Sequence, residues 1–130
     1  VMEMTTALVA SDDTLLLEPM DKTAVLSTLG DLLMAWRSGM RQPLPVAVKT
    51  AFAWLAHTDP VKANAAARKA YEGDGQTSEG ERRESPALVR QFVDYDALIA
   101  DETFPDWCNA LYKPMFEARW RSLASEEARS

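Results

Sequence analysis

Two apolar helices joined by a proline elbow constrain this chain more than any other feature of its sequence. A helix that carries Trp36 must end before Pro43, because proline disfavours helical geometry in the residue that precedes it. A second helix can begin at Pro45, and it contains Lys49 and Trp54. The region is therefore predicted to be a helix, a sharp elbow and a second helix.

The first of these helices has a broad apolar stripe that predicts burial. Asp21 can cap its amino terminus by accepting hydrogen bonds from free backbone N–H groups. Gly30 costs the helix about 1 kcal/mol relative to alanine. Large side chains recur three and four residues apart along it: Val25, Leu29, Leu32, Leu33, Trp36 and Met40. We expect Trp36 to pack in the core, together with Trp107 and Trp120 of the last helix.

The next two helices differ in character. The helix after Pro45 is apolar on nearly every side, so it should be buried or lie in an interface. Asp59 and Pro60 are a cap followed by a proline at the first helical position, which starts a third, alanine-rich helix. Gly73 suits the left-handed position after its carboxyl end.

The ends of the chain are predicted to be a β-hairpin and a long helix. Residues 4–9 and 14–18 have the composition of two strands with a turn between them. A lone hairpin is marginal in water, so we expect further strands upstream of Val1. Residues 74–84 are predicted to be a mobile polar loop without an apolar anchor. One or two short helices should follow Ser85 and Pro86, before a last helix from Phe104 to Leu123 that Pro114 kinks.

The predicted fold class is α+β and mostly α, with a β-hairpin edge followed by about five helices. Residues 1–124 should form one domain and residues 125–130 a frayed tail. A single cysteine, Cys108, excludes an internal disulfide and fits a reducing compartment, so we predict a cytoplasmic location. The apolar runs are too short for a membrane span.

Charge is unevenly distributed along the chain, whose net charge is −6. From Leu32 to Tyr71 there are six basic residues and one acid, whereas residues 72–130 hold seven basic residues and thirteen acids. The basic middle could meet DNA phosphates or a partner, and it could equally be a solvated surface. The candidate contact residues are Arg37, Arg41, Lys49, Arg68 and Lys69.

The sequence predicts no catalytic residue, no metal site and no cofactor. His57 is the only histidine and has no nucleophile or ligand near it in sequence, and Cys108 lies on an apolar helix face. The acids between Asp94 and Asp106 do not have the spacing of a calcium loop. We interpret them as capping and surface groups.

One pattern resembles a nuclease that has lost its chemistry. Restriction-enzyme-like nucleases hold Mg²⁺ with an Asp on one strand and Glu-x-Lys on the next, and the lysine steadies the attacking water. Glu18 could occupy the acid position, but Met20 stands where the lysine is needed, and the first strand offers Thr5 and Thr6 instead of Asp. We therefore predict part of a degenerate restriction-endonuclease-like (PD-(D/E)xK) domain.

The order of these elements resembles the carboxyl-terminal part of the gamma subunit of exodeoxyribonuclease V, the RecC family. The residues that carry the resemblance are 14–17 before Pro19, 36–40 leading into Pro43 and Leu44, 53–55, 67–73 and 111–115. The chain departs from the family at residues 78–84, where the family usually has a loop like Gly-Glu-Gly-Asp-Asp. Any contact made by that loop is therefore not carried over.

The resemblance implies a non-catalytic part of a helicase–nuclease that processes double-strand breaks for homologous recombination and DNA repair. Its expected partners are the beta and alpha subunits of exodeoxyribonuclease V and double-stranded DNA ends, with no membrane. Two alternatives remain open at this point: a stand-alone helical protein–protein interaction module, and an active Mg²⁺-dependent nuclease.

Overall fold

A small antiparallel sheet and a set of mostly short helices form the fold in the computed structural model, which describes residues 5–118 and 120–123. Strands β1 (Thr6–Val9) and β2 (Thr14–Leu17) form the predicted hairpin, with Thr6 opposite Leu17. The predicted tail at 125–130 and the first residue of the predicted first strand, Met4, lie outside the described residues.

A third strand, β3 (Trp120–Ser122), completes the sheet by pairing antiparallel with β2, with Leu17 opposite Trp120. The predictions of a simple hairpin and of a last helix reaching Leu123 are therefore wrong. Trp120 continues the helical spacing of the preceding residues, but pairing with β2 decides its conformation. The strand that supports the hairpin comes from the carboxyl-terminal side of the chain, where the sequence pattern predicts helix.

Helix α1 (Lys22–Gly39) packs against the rest of the domain through the side that the sequence predicts to face solvent. Asp21 caps it as predicted, accepting a hydrogen bond from Ala24 N at 3.0 Å. Its buried or half-buried positions are small or polar: Ala24, Thr28, Asp31, Ala35 and Ser38. The apolar stripe faces outward, and Trp36 is 66% exposed.

The other two tryptophans predicted in the core also lie nearer the surface. Trp107 is half-buried and Trp120 is 40% exposed. In α1, helical spacing identifies a coherent face correctly, but it does not say whether that face meets this domain or something else. None of the helices in the described part combines the length and the apolar character that crossing a membrane requires.

The core is built where α2 (Val48–Leu55) meets α3 (Pro60–Glu72) and the aromatic residues beyond them. Asp59 caps α3 as predicted, accepting hydrogen bonds from Val61 N and Lys62 N. The prediction that α2 is buried is confirmed for Thr50 and Ala51, which are fully enclosed. The core cluster consists of Ala47, Ala51, Ala67, Tyr71, Tyr95, Leu98, Phe104 and Cys108.

Buried hydroxyl groups in this core all find partners. Tyr71 donates to the carbonyl oxygen of Phe92 at 2.5 Å, and Tyr95 donates to Asn64 Oδ1 at 2.9 Å. The ring of Tyr95 meets the edge of Phe104 at 6.1 Å between centroids. Burial raises the pKa of Tyr95 to about 12, so this phenol stays protonated at neutral pH.

Short segments complete the carboxyl-terminal half. Along the chain, four short α-helices precede a π-helical turn at Cys108–Tyr112 and one follows it. They are α4 (Glu81–Glu84), α5 (Pro86–Gln91), α6 (Tyr95–Ile99), α7 (Phe104–Trp107) and α8 (Lys113–Phe116). The described residues thus contain eight α-helices where about five are predicted. The long last helix is divided because Pro114 lacks an N–H group, and α-helical geometry is lost in the turn before it.

Helix α4 lies inside the segment predicted to be an unanchored loop, and its first residue is buried. Glu81 is 8% exposed and closes the amino terminus of α2. Its Oε1 accepts from Lys49 N at 3.0 Å, and its Oε2 accepts from Thr50 N and Thr50 Oγ1, both at 2.9 Å. The segment has no apolar anchor, as predicted, but a buried carboxylate holds it.

The first half of the same segment is a tight polar turn. Asp74 Oδ1 accepts from the backbone N–H groups of Gln76, Thr77 and Ser78, and its Oδ2 accepts from Thr77 Oγ1. Gly73 and Gly80 have positive φ angles. A Cβ on either glycine would clash with the backbone at the opposite end of the turn. The turn therefore needs glycine at both ends.

We predict that Glu81→Gln destabilises the protein by about 1–3 kcal/mol, because the amide presents a donor to backbone N–H groups and loses charge-assisted bonds. Glu84→Gln is the matched control. Glu84 only pairs with the exposed Lys49 side chain, so its loss should cost less than about 1 kcal/mol. Urea unfolding of both purified variants measures the difference, and equal stabilities would contradict the assigned cap.

We predict that the stability contributed by Asp74 depends on pH. Its hydrogen bonds to Thr77 and to the backbone hold its pKa well below the ordinary 3.8. The charged form is therefore favoured in the folded state, and its contribution is complete above about pH 4 and declines as the pH falls below that value. Asp74→Asn should lower the melting temperature at pH 7 and have a smaller effect near pH 2.5, whereas Asp12→Asn in the exposed turn should not show this difference. An effect that grows on acidification would contradict the predicted sign.

Candidate nucleic-acid and subunit interface

The residues predicted at the degenerate nuclease position lie at the end of β2. Glu18 and Met20 follow the strand on either side of Pro19, and both are exposed. Continuing the register of β1 and β2 would place Thr5 opposite Glu18. A threonine hydroxyl and a methionine thioether are poor partners for a hard cation such as Mg²⁺, which prefers carboxylate oxygens and water.

This strand end opens onto a cavity of about 520 Å³ between β2, the inward side of α1 and helix α8. Carboxylates of Glu18, Asp21, Asp31 and Glu117 line it, with Lys113 as the one cation among the lining residues. Lys113 Nζ lies 3.8 Å from Glu117 Oε1, so its charge is partly engaged. Asp21 is engaged as the cap of α1.

The acids around the cavity do not converge on one point in the described part of the chain. No three acidic, histidine or cysteine side chains there come close enough together to hold a metal ion. Four acids and one lysine line the cavity, so its net negative formal charge disfavours phosphate groups. At the strand end itself, Thr5 and Met20 supply neither a carboxylate for a metal ion nor a basic group to position water.

Three of the five predicted contact cations are engaged by carboxylates of the same chain. Lys49 Nζ lies 2.5 Å from Glu84 Oε2, and Arg68 Nη2 lies 2.5 Å from Asp96 Oδ1. Arg68 also stacks over the ring of Tyr95, with 5.0 Å from Cζ to the centroid. The bond from Arg68 is the main cause that holds the pKa of Asp96 below its ordinary value.

Lys69 is held more weakly than Lys49 and Arg68. Its Nζ lies 3.7 Å from Asp74 Oδ2, and this carboxylate is already saturated by backbone and hydroxyl donors. Lys62 lies seven residues before Lys69 and therefore on the same side of α3, away from the buried alanines. Lys62 is exposed, and the described part of the chain gives it no ion pair.

Arg37 and Arg41 occupy a different place. Arg37 lies in the last turn of α1 and Arg41 lies two residues beyond its end, four positions apart and both exposed. Among residues 5–118 and 120–123 neither forms an ion pair. The five predicted cations are therefore spread over three elements, and their role in DNA or partner contact stays a prediction.

Cys108 and His57, the remaining candidates for a chemical role, both lie where a structural role explains them. Cys108 is fully buried, and burial raises the pKa of its thiol to about 12, so it is protonated and unreactive at neutral pH. His57 is exposed just after α2, where its backbone N–H donates to Trp54 O. Both agree with the roles that the sequence predicts.

The structure adds two features that the sequence interpretation missed. One is Glu81, a buried acid in a polar stretch, for which no local pattern gave a signal. The other is the outward direction of the apolar face of α1. Its signal was present in part, because Arg37 and Arg41 interrupt that face at its carboxyl end and would be costly to bury unpaired.

Comparison with known protein families matches residues 5–59 to the RecC C-terminal domain. The match covers β1, β2, α1 and α2 and ends at the cap of α3, and it confirms the resemblance that the sequence predicts. The similar residues at 67–73 and 111–115 lie outside the matched range. No curated protein and no solved structure matches the chain.

Proposed function

Because residues 5–59 match the RecC C-terminal domain, we propose a non-catalytic, scaffolding role in an exodeoxyribonuclease V-type assembly. In this role the chain is part of a gamma-like subunit in the cytoplasm, joined to beta and alpha subunits that supply the helicase and nuclease activities. The assembly acts on double-stranded DNA ends in break repair and homologous recombination. The family match is the observation that carries the proposal.

We further propose that the sheet and the helix after it are a remnant of a restriction-endonuclease-like domain. The support is local: an antiparallel pair of strands, with Glu18 directly after the second and threonines on the first. The side chains required for metal binding and water activation are replaced by Thr and Met. The remnant then has the shape of a cleavage domain without the charges that cleavage requires.

Contact with duplex DNA is proposed for the outer side of α3. Lys69 is the candidate whose ion pair is longest, and Lys62 adds a second cation on the same side. Lys49 and Arg68 would have to exchange a carboxylate at 2.5 Å for a phosphate. Such contacts neutralise charge and read no sequence, so they suit a subunit that holds DNA of any sequence.

A stand-alone interaction module is the second candidate function. The exposed apolar side of α1 favours it, because such surfaces mark protein interfaces whatever the assembly. The two proposals differ in what else the chain does. A stand-alone module would bind one protein and neither join beta and alpha subunits nor bind duplex DNA.

We predict that the purified protein does not degrade linear duplex DNA in Mg²⁺ or Mn²⁺, and that Glu18→Gln leaves DNA degradation by the assembled complex unchanged. The reason is that Thr5 and Met20 stand where a nuclease of this type needs an aspartate and a lysine. Gel analysis of a linear duplex over time measures both. Degradation by the isolated protein that Mg²⁺ supports and Glu18→Gln abolishes would establish an active nuclease and contradict the proposal.

We predict that the double variant Lys62→Gln/Lys69→Gln binds duplex DNA more weakly and with a weaker salt dependence. The slope of log K against log salt should fall in magnitude by about 0.9 for each phosphate contact that is lost. Fluorescence anisotropy with a labelled duplex at several salt concentrations measures this slope. Arg90→Gln/Lys113→Gln removes the same total charge elsewhere, and an equal effect of both double variants would exclude a contact specific to α3.

A further inference from the structure

Arg68 is the one cation in the described part of the chain whose charge lies over an aromatic ring. Its guanidinium stacks on Tyr95, with 5.0 Å from Cζ to the ring centroid. The ring is fixed in turn, since Tyr95 is buried, meets the edge of Phe104 and donates its hydroxyl to Asn64 Oδ1. A guanidinium that already rests on a fixed ring loses little freedom when it binds an anion.

The anion on this guanidinium is the carboxylate of Asp96, in the first turn of α6. Arg68 Nη1 donates to Oδ2 at 3.1 Å and Nη2 donates to Oδ1 at 2.5 Å, so both terminal nitrogens are engaged at once. Carboxylate and phosphate groups both accept from arginine in this paired way. A phosphate bound to the same two nitrogens would take the place of Asp96.

Asp96 is free to leave this position, whereas the second acid near Arg68 is held in place. The Asp96 side chain is 69% exposed, and within the described residues its carboxylate bonds to Arg68 alone. Glu72 Oε1 lies 3.7 Å from Arg68 Nη1, but it also accepts from the backbone N–H of Tyr95 at 2.9 Å. An exposed ion pair is weak in water, so a competing anion can open it.

Arg68 borders the surface for which DNA contact is proposed. It directly precedes Lys69 in α3, and successive side chains of a helix point about 100° apart. Its contacts with Tyr95 and Asp96 place it on the side of α3 that faces α6. A DNA strand that meets Lys69 therefore has Arg68 as the neighbouring cation.

The other ion pair with two short bonds does not have this geometry. Lys49 Nζ donates to both oxygens of Glu84, at 2.7 and 2.5 Å, and it belongs to α2 rather than α3. An ammonium group has three donors on a flexible chain, so it can add a phosphate without releasing its carboxylate. The paired nitrogens of Arg68 cannot do the same.

We infer that Asp96 competes with DNA for Arg68: it occupies the anion position of a phosphate-binding site, which opens when the carboxylate moves away. This inference rests on the proposed function, since it takes the phosphate from the duplex whose contact with α3 is proposed. The consequence is that the chain binds DNA more weakly than its cations alone would allow.

The test is a double-mutant cycle on duplex binding by the purified protein, measured by fluorescence anisotropy at several salt concentrations. At about 0.1 M salt, Asp96→Asn should raise the association constant about threefold to eightfold, and it should steepen the slope of log K against log salt by about 0.9, as one added phosphate contact does. Arg68→Gln should abolish both gains in the Asp96→Asn background. Alone, it should lower the affinity less than about twofold, because Asp96 already occupies the site.

Asp12→Asn is the matched control, because it removes the same charge from the exposed turn between β1 and β2. It should raise the association constant less than about twofold and leave the salt slope unchanged, since it acts through net charge alone. Equal effects of Asp12→Asn and Asp96→Asn would overturn the inference. So would a gain from Asp96→Asn that persists with Arg68→Gln.

The melting temperature separates competition from a purely structural role. Asp96→Asn should change it by less than about 2 °C, because the pair is exposed. A larger decrease without a gain in affinity would mean that the pair only holds α6 against α3, and would overturn the inference. If the unaltered protein binds duplex DNA and Asp96→Asn binds it equally, the inference alone fails. If neither the unaltered protein nor any variant binds, the proposed DNA contact fails with it.

Discussion

A carboxylate that closes the amino terminus of α2 is the interaction on which the rest of this fold depends. The first turn of a helix leaves backbone N–H groups without partners, and the capping position of α2 is Ala47, whose side chain accepts no hydrogen bond. Glu81 supplies two acceptor oxygens from a residue 31 positions further along the chain than Thr50. Because this contact is buried, removing it would leave polar groups without partners in the interior.

This contact explains the geometry of the segment before it. The chain leaves α3 at Glu72 and must return within nine residues to place Glu81 beside α2. Gly73 and Gly80 permit the close approach of the two ends, and Asp74 satisfies the N–H groups of the turn between them. A stretch that looks like a variable surface loop therefore fixes the position of a core helix.

With the core closed around α2 and α3, α1 is left at the periphery. It attaches through Ala35 and other small or polar residues, which leave the polar cavity beneath it open. A helix that gave its large apolar side chains to this core would have to displace the aromatic residues already there. The pattern that usually identifies a core helix is therefore, in this domain, a pattern of an exposed surface.

Much of the fold could be predicted because its signals are local. The caps at Asp21 and Asp59, the proline start of α3 and the β1–β2 hairpin each depend on residues within a few positions of one another. Three features could not be predicted, because distant parts of the chain decide them. Strand β3 forms only because β2 has a free edge, Glu81 is buried only because α2 needs an acceptor, and Trp36 is exposed only because other side chains fill the core.

The features of the candidate site also divide into those that nearby residues decide and those that distant residues decide. The absence of a lysine after Glu18 is visible in the sequence, but the acidic character of the cavity beside it depends on Asp31 and Glu117, which come from different elements. In an active nuclease, a bound cation compensates such acids and allows a phosphate to approach. Without that cation, a net negative cavity disfavours approach of the DNA backbone, so the DNA contact that we propose requires cations on another surface. Under the proposed nuclease ancestry, the place where cleavage would occur is therefore separate from the place where DNA would be held.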